Sequence, residues 1–234
     1  VGNDTWMAQG ETASYSGGFI SLFDLASAGA YARTVSSGMD GSDGDDVITN
    51  DTAGVVTVKA TSTTDASGEA TTSTFGTNAA FVSSTTEATG TGISGGDGED
   101  TIWNKGTIQV SANTLANASA DSWVGWGEPM ADATANATAA AVGIDAGAGR
   151  TLVTNSGLID ISALSTATPY AIADSDVDNT ESDAALNSKA TAVGIRTGDE
   201  DGSAVNESGG TIVVNATAMG SAQSVSDEDA DAYA

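Results

Sequence analysis

The chain contains no cysteine and no histidine among its 234 residues. The first absence excludes a disulfide framework and thiol chemistry, and the second removes the commonest general base. Proline occurs twice and aromatic residues make up 5% of the chain, so a wide core of large side chains is excluded as well. Basic residues are almost as scarce, 6 against 32 acidic ones, which leaves a formal charge of −26. Surfaces that track phosphates are basic, so this balance argues against nucleic acid and anionic membranes as partners. No segment approaches the roughly 18 to 20 apolar residues of a membrane-spanning helix, and membrane insertion is not expected. The chain opens at Val1 without a basic, apolar leader, which fits a mature exported protein.

What is abundant is alanine, glycine, serine, threonine and asparagine, arranged in a block of about 51 residues that recurs four times. Anchoring on one asparagine gives Asn50, Asn104, Asn155 and Asn206. The best-formed copy reads from Gly92-Ile93 through a Gly/Asp-rich turn to Asn104 and Gly106, then into a long alternation of apolar and polar positions. The copy around Asn155 aligns with it without a gap, while those around Asn50 and Asn206 add two residues before Gly54 and Gly210. Copies of this length that cannot bury an apolar face alone must stack on one another. The expected boundaries are an atypical first coil over residues 1–37, then repeats at about 38–91, 92–142, 143–193 and 194–234.

Ile102, Asn104, Gly106, Ile108, Val110, Ala112, Ala116, Ala118 and Ala120 share one parity, with Thr114 the exception, as in a half-buried strand. Ala131 to Ala141 repeat the pattern on the way into the next turn. Each block therefore reads as a long strand, a turn and a long strand back. The expected fold is all-β, a parallel β-helix or β-solenoid of about four flattened 51-residue coils within a single domain, 1–234. Alanine has weak strand propensity, so its use here is geometric: opposed small side chains let two walls approach closer than the usual 10 Å or so. The recurrent Asn50, Asn104, Asn155 and Asn206 are expected to form an inward ladder of stacked amides, with a simple left-handed turn position as the alternative.

Variable segments join the blocks, at residues 61–74, 121–130, 172–183 and 223–229, and such segments often carry recognition. Trp123 and Trp126 mark the second as a possible ligand loop, where a Trp pair either stacks on a sugar or packs on its own coil. Phe19, Leu22, Phe23 and Leu25 make the first coil more apolar than the others and are candidates to close it. Outward Thr and Ser rows raise ice binding, but Asp132, Asn136, Gln109 and Asp160 interrupt them. Glycoside hydrolysis needs two carboxylates across a cleft, whereas these acids lie mostly in turns, so no enzyme is expected.

The segment Gly95-Gly96-Asp97-Gly98-Glu99-Asp100-Thr101-Ile102-Trp103 resembles the calcium-binding nonapeptide of the RTX proteins, and Gly41-Ser42-Asp43-Gly44-Asp45-Asp46-Val47-Ile48-Thr49 matches with one glycine replaced. In that family calcium sits between carboxylates and carbonyls of successive turns. The resemblance implies a calcium site where Asp43, Asp45, Asp46, Asp97, Glu99 and Asp100 converge between adjacent coils. A hard cation with six to eight oxygen ligands suits such a set. The motif decays along the chain, with Thr151 and Gly202 at the position of Asp100. As a whole the chain resembles β-solenoid passengers of bacterial surface proteins and adhesins, which implies export and a structural or adhesive role.

The two ends read as complementary. Val1-Gly2-Asn3-Asp4-Thr5-Trp6 is similar to the tail of the turn before Trp103, and Ala230, Ala232, Tyr233 and Ala234 are similar to the alanine strand that precedes it. Exposed strand edges on a stack template further chains. The expectation is a secreted or cell-surface filament of chains stacked head to tail. The alternative is a segment of a long surface adhesin or stalk that binds a partner or glycan through its variable loops.

Overall fold

The computed structural model describes residues 2–16, 23–175, 180–198, 201–226 and 229–233; side chains are described from 24 to 226 apart from 73–74 and the gaps between these ranges. There is no helix among the described residues. In chain order the strands are β1 (Gly2–Ser16), β2 (Phe23–Asp40), β3 (Val47–Asn50), β4 (Val55–Ser94), β5 (Thr101–Asn104), β6 (Thr107–Asp145) and β7 (Leu152–Asn155). They continue with β8 (Leu158–Ser175), β9 (Glu181–Arg196), β10 (Ser203–Asn206), β11 (Thr211–Gly220), β12 (Gln223–Ser226) and β13 (Asp229–Tyr233).

Every pairing between them is parallel, and the register holds but for one shift in the β4–β6 pairing, so the chain is a solenoid. Each coil has three walls. An outward wall stacks β1, the first part of β4, the first part of β6, β8, and then β11 with β12. A return wall stacks β2, the rest of β4, the rest of β6, β9 and β13. A short third wall is a separate four-stranded sheet in the order β10-β7-β5-β3. The coil is thus one flattened turn of about 51 residues, as the sustained parity predicts.

Two expectations are corrected here. Residues 61–74 and 121–130 are not edge loops: the strands β4 and β6 run through both, with one register shift between Thr72 and Phe75 where the outward wall turns into the return wall. The expectation for Leu25 also changes, because it is turned outwards and exposed; the side chains of Phe19, Leu22 and Phe23 lie outside those described.

The core is a thin seam between the two long walls. At the end nearest the wall-to-wall corner it is almost all alanine, including Ala66, Ala118, Ala133 and Ala171. Towards the Gly/Asp turn it widens to Ile93, Ile108, Ile144, Ile159 and Ile161 with Val58 and Val110. Between these clusters runs a buried hydroxyl belt of Ser62, Thr64, Ser84, Thr86, Thr114 and Ser165. The walls lie so close that hydroxyls reach across: Ser84 donates to Thr64 Oγ1 at 2.6 Å and Ser165 to the Ala137 carbonyl at 2.8 Å. Thr114, which breaks the apolar parity, is one member of the in-register column Ser62–Thr114–Ser165.

At the widest point a glycine recurs because the next coil leaves no room. A Cβ on Gly92 would lie 2.5 Å from the Gly143 carbonyl oxygen, and one on Gly143 equally close to that of Gly194. In the turns, Gly96 and Gly147 adopt φ of 97° and 77°, a region that side-chain-bearing residues avoid.

Candidate functional site

The short wall places an asparagine at the inner end of each of its four strands. Asn50 Nδ2 donates to Asn104 Oδ1, Asn104 Nδ2 to Asn155 Oδ1, and Asn155 Nδ2 to Asn206 Oδ1, each at 2.7 Å. Asn50, Asn104 and Asn155 are buried, so each amide replaces lost water with its ladder neighbours, on both sides for Asn104 and Asn155 and on one side for Asn50. The ladder has a direction: every donor points towards the C-terminal coil. At the last step Asn206 Nδ2 turns to the carbonyl of Gly210 instead.

The Gly/Asp turn enters this wall. Asp43 and Asp97 pair as an isolated parallel bridge, Asp45 Oδ1 accepts from the Glu99 amide at 2.9 Å, and Asp100 Oδ1 accepts from the Asp46 amide at 2.9 Å. The six acids do not converge as expected, and among the described residues no three acidic side chains form a group that could hold a metal ion. The reason is strand parity. Asp43, Asp45, Asp97 and Glu99 lie on the exposed side, while Asp46 and Asp100 turn inwards. Asp100 is 2% exposed, and its Oδ2, like that of Asp46, is buried without a hydrogen-bond partner. One coil on, the side chain in this position is Thr151, whose hydroxyl donates to the carbonyls of Ala146 and Gly149. The same place thus holds a donor in one coil and orphaned acceptors in the two before it.

The coil ends differ from the expectation in register. Gly2 pairs with Val58, Asn3 with Lys59, Asp4 with Ala60 and Trp6 with Ser62, in the outward wall and not in the turn before Trp103. Ala230 pairs with Ser182, Ala232 with Ala184 and Tyr233 with Ala185, at the start of the return wall. Val1 and Ala234 lie outside the described residues. Beyond Ala185 the rest of β9, and then β10, carry no strand above them among the described residues, so this arc is bare backbone edge. β11 is exposed along its whole length, Ile212, Val213, Val214 and Met219 included.

Trp123 and Trp126 are not a pair. Trp123 sits half-buried in the outward wall, and its carbonyl accepts from Asn78 Nδ2 at 2.6 Å. Trp126, at the corner, packs its ring against Phe75 of the coil below, with centroids 5.6 Å apart, and stays 53% exposed.

In-register stacking also brings like charges together. Burial raises the Asp121 carboxyl above its ordinary value, and the neighbouring Glu69 and Asp174 add to this. Asp132 is raised too, by burial and by Asp183 one coil away, with a hydrogen bond from Thr134 partly opposing. These pairings lie in no single copy; they appear only when successive coils are laid over one another, the first in the outward wall and the second in the return wall.

No protein-family model matches the chain, and neither a curated protein nor a solved structure does.

Proposed function

We propose that the chain is a structural element of a secreted or cell-surface filament, without enzymatic activity, and that it extends end to end by strand addition at its open coils. The observation that carries this reading is the last coil. Its strand β11 is parallel to and in register with β8, yet its inward aliphatics, Ile212 and Val214, are exposed, and its outer backbone edge is unpaired among the described residues. Such an edge takes up further strands unless it is blocked, and a head-to-tail contact that does not close on itself makes a filament. A second copy placed over β11, β12 and β13 would meet them with its own β1 and the start of β2. Negative-stain microscopy of the purified chain tests this: fibres support it, and separate particles over a wide concentration range overturn it.

The bare arc above β9 and β10 favours a second reading, a segment of a longer surface adhesin or stalk. A rigid second copy seated on β13 would leave one coil's height open over that arc, whereas further backbone of the same solenoid type would cover it and give Asn206 Nδ2 an asparagine acceptor. The intact mass of the native protein separates the readings, since 22.9 kDa supports subunits and a far larger mass supports a segment.

Calcium belongs to the same proposal. The orphaned Asp46 and Asp100 oxygens, set among turn carbonyls, fit a hard cation, and Asp46 and Asp100 are the residues that would hold it. Bound there, the cation would neutralise the buried Asp100 and the part-buried Asp46 carboxylates and brace one turn against the next.

A further inference from the structure

The short wall carries no charge on its strands: in a chain of net charge −26, none of the residues of β3, β5, β7 or β10 is charged. On this wall Trp103 is 40% exposed. It forms one lip of a groove of about 230 Å³ completed by Lys105, Thr154, Ser156 and Glu207.

The groove is built by the coil stacking. Lys105, Ser156 and Glu207 each follow a ladder asparagine, and the backbone amide of each donates to the asparagine carbonyl one coil below, at 2.8 Å in all three cases. The three side chains therefore rise one above another at the strand spacing of about 4.8 Å. Ser156, the smallest, leaves a dip between the Lys105 ammonium and the Glu207 carboxylate, two coils apart. Neither of these charged groups makes an ion pair or a side-chain hydrogen bond among the described residues.

We propose that this groove binds one neutral hexopyranose residue of a glycan. The indole face takes the apolar C–H face of the ring, as aromatic lips with a few placed polar groups do in small-molecule sites. Lys105 donates to ring hydroxyls, Glu207 accepts from them, and the Thr154 and Ser156 hydroxyls do either. A sugar hydroxyl both donates and accepts, which matches this mixed set. A uronate does not: Glu207 and the net negative field oppose it. The proposal is independent of end-to-end assembly, because the short wall faces sideways and a single chain presents the whole groove.

The test is titration of the full chain, followed by two-dimensional NMR, with glucose-, galactose-, mannose- and N-acetylglucosamine-terminated oligosaccharides and with oligouronates. At least one neutral sugar is expected to shift the Trp103 indole resonance, with uronates at least tenfold weaker. Trp103→Ala should abolish binding and Trp126→Ala should retain it. Ser156→Leu fills the dip and should weaken binding at least tenfold, while leaving Trp103 in place and the thermal midpoint near the parent's. The proposal is overturned if no neutral sugar binds, if uronates bind as well, or if Trp103→Ala retains binding. It is also overturned if sedimentation shows paired copies that Trp103→Ala separates and sugar does not.

Discussion

Ile159 and Ile212 occupy the same column of the outward wall, one coil apart and with the same parity, but Ile159 has a paired strand on both sides and Ile212 on one. Ile159 is fully buried, whereas Ile212 is 36% exposed. Nothing in their own strands accounts for this. What differs is the C-terminal side: both have a return wall across the seam, Gly143 against Ile159 and Gly194 against Ile212, but β11 covers β8 whereas no described strand covers β11, and β13 ends at Tyr233. Burial in this fold is supplied by the facing wall and the neighbouring coil, which is why a solenoid's end coil is its weak point.

The comparison can be broken most directly by truncating both residues. Ile159→Ala should cost about 3 to 4 kcal/mol, within the usual range for an aliphatic core truncation, and Ile212→Ala less than about 1 kcal/mol in the isolated chain. Denaturant midpoints under dilute conditions measure both. Equal costs would mean that the last coil is covered in solution, and a cost for Ile212→Ala that grows with protein concentration would mean that a second copy covers it.

The asparagine ladder offers the same contrast on a smaller scale. Asn104→Ala leaves one Asn50 amide N–H without its acceptor, the amide keeping only the Thr107 carbonyl, and the Asn155 side-chain carbonyl without a donor, at roughly 1 to 3 kcal/mol for each buried orphan. Asn206→Ala orphans one group at an exposed step and should cost about 1 kcal/mol. Thermal midpoints of the two variants should separate accordingly.

Calcium sharpens the comparison between the turns. Saturating calcium at about 100 times its dissociation constant should stabilise the parent by about 2.7 kcal/mol. The double variant Asp46→Thr with Asp100→Thr, which copies the hydroxyl of Thr151, should show no calcium dependence and should match or exceed the calcium-free parent. An unchanged calcium response in that variant would remove these turns as the site.

The smallest effect is electrostatic. The folded-state value of Asp132 is raised, so its proton favours the folded chain; that contribution is complete below the ordinary value of 3.8 and is lost as pH rises through the raised one. Asp132→Asn carries no charge at any pH. It should therefore match the parent at pH 3 and be more stable by a few tenths of a kcal/mol at pH 7, the scale of a like-charge pair stacked across strands. Paired melting curves at the two pH values read this difference.

How much of this was legible before the structure depends on whether a feature repeats. The alternation through Val110, Ala112, Ala116 and Ala118, the spacing of the four asparagines and the alanine seam all recur, and repetition marks them as inward positions of stacked coils. The corner where Thr72 gives way to Phe75 has no local signature in residues 61–74, because the chain turns there without leaving the ladder. The six acids were misjudged as one cluster because spacing along the sequence was weighed above parity, which sends Asp100 inwards and Glu99 outwards. The opening residues were matched to the turn by a likeness of a few side chains, whereas the register from Gly2↔Val58 onward is set by the fit of a whole strand. The groove beside Trp103 arises from three coils at once, and no single copy contains it.

The most direct measurement is electron cryomicroscopy of the purified chain across a concentration series, with and without calcium. The account predicts filaments whose strands lie across the axis, with the layer spacing of about 4.8 Å running unbroken through each junction at β11. Separate single-chain particles under every condition would contradict it.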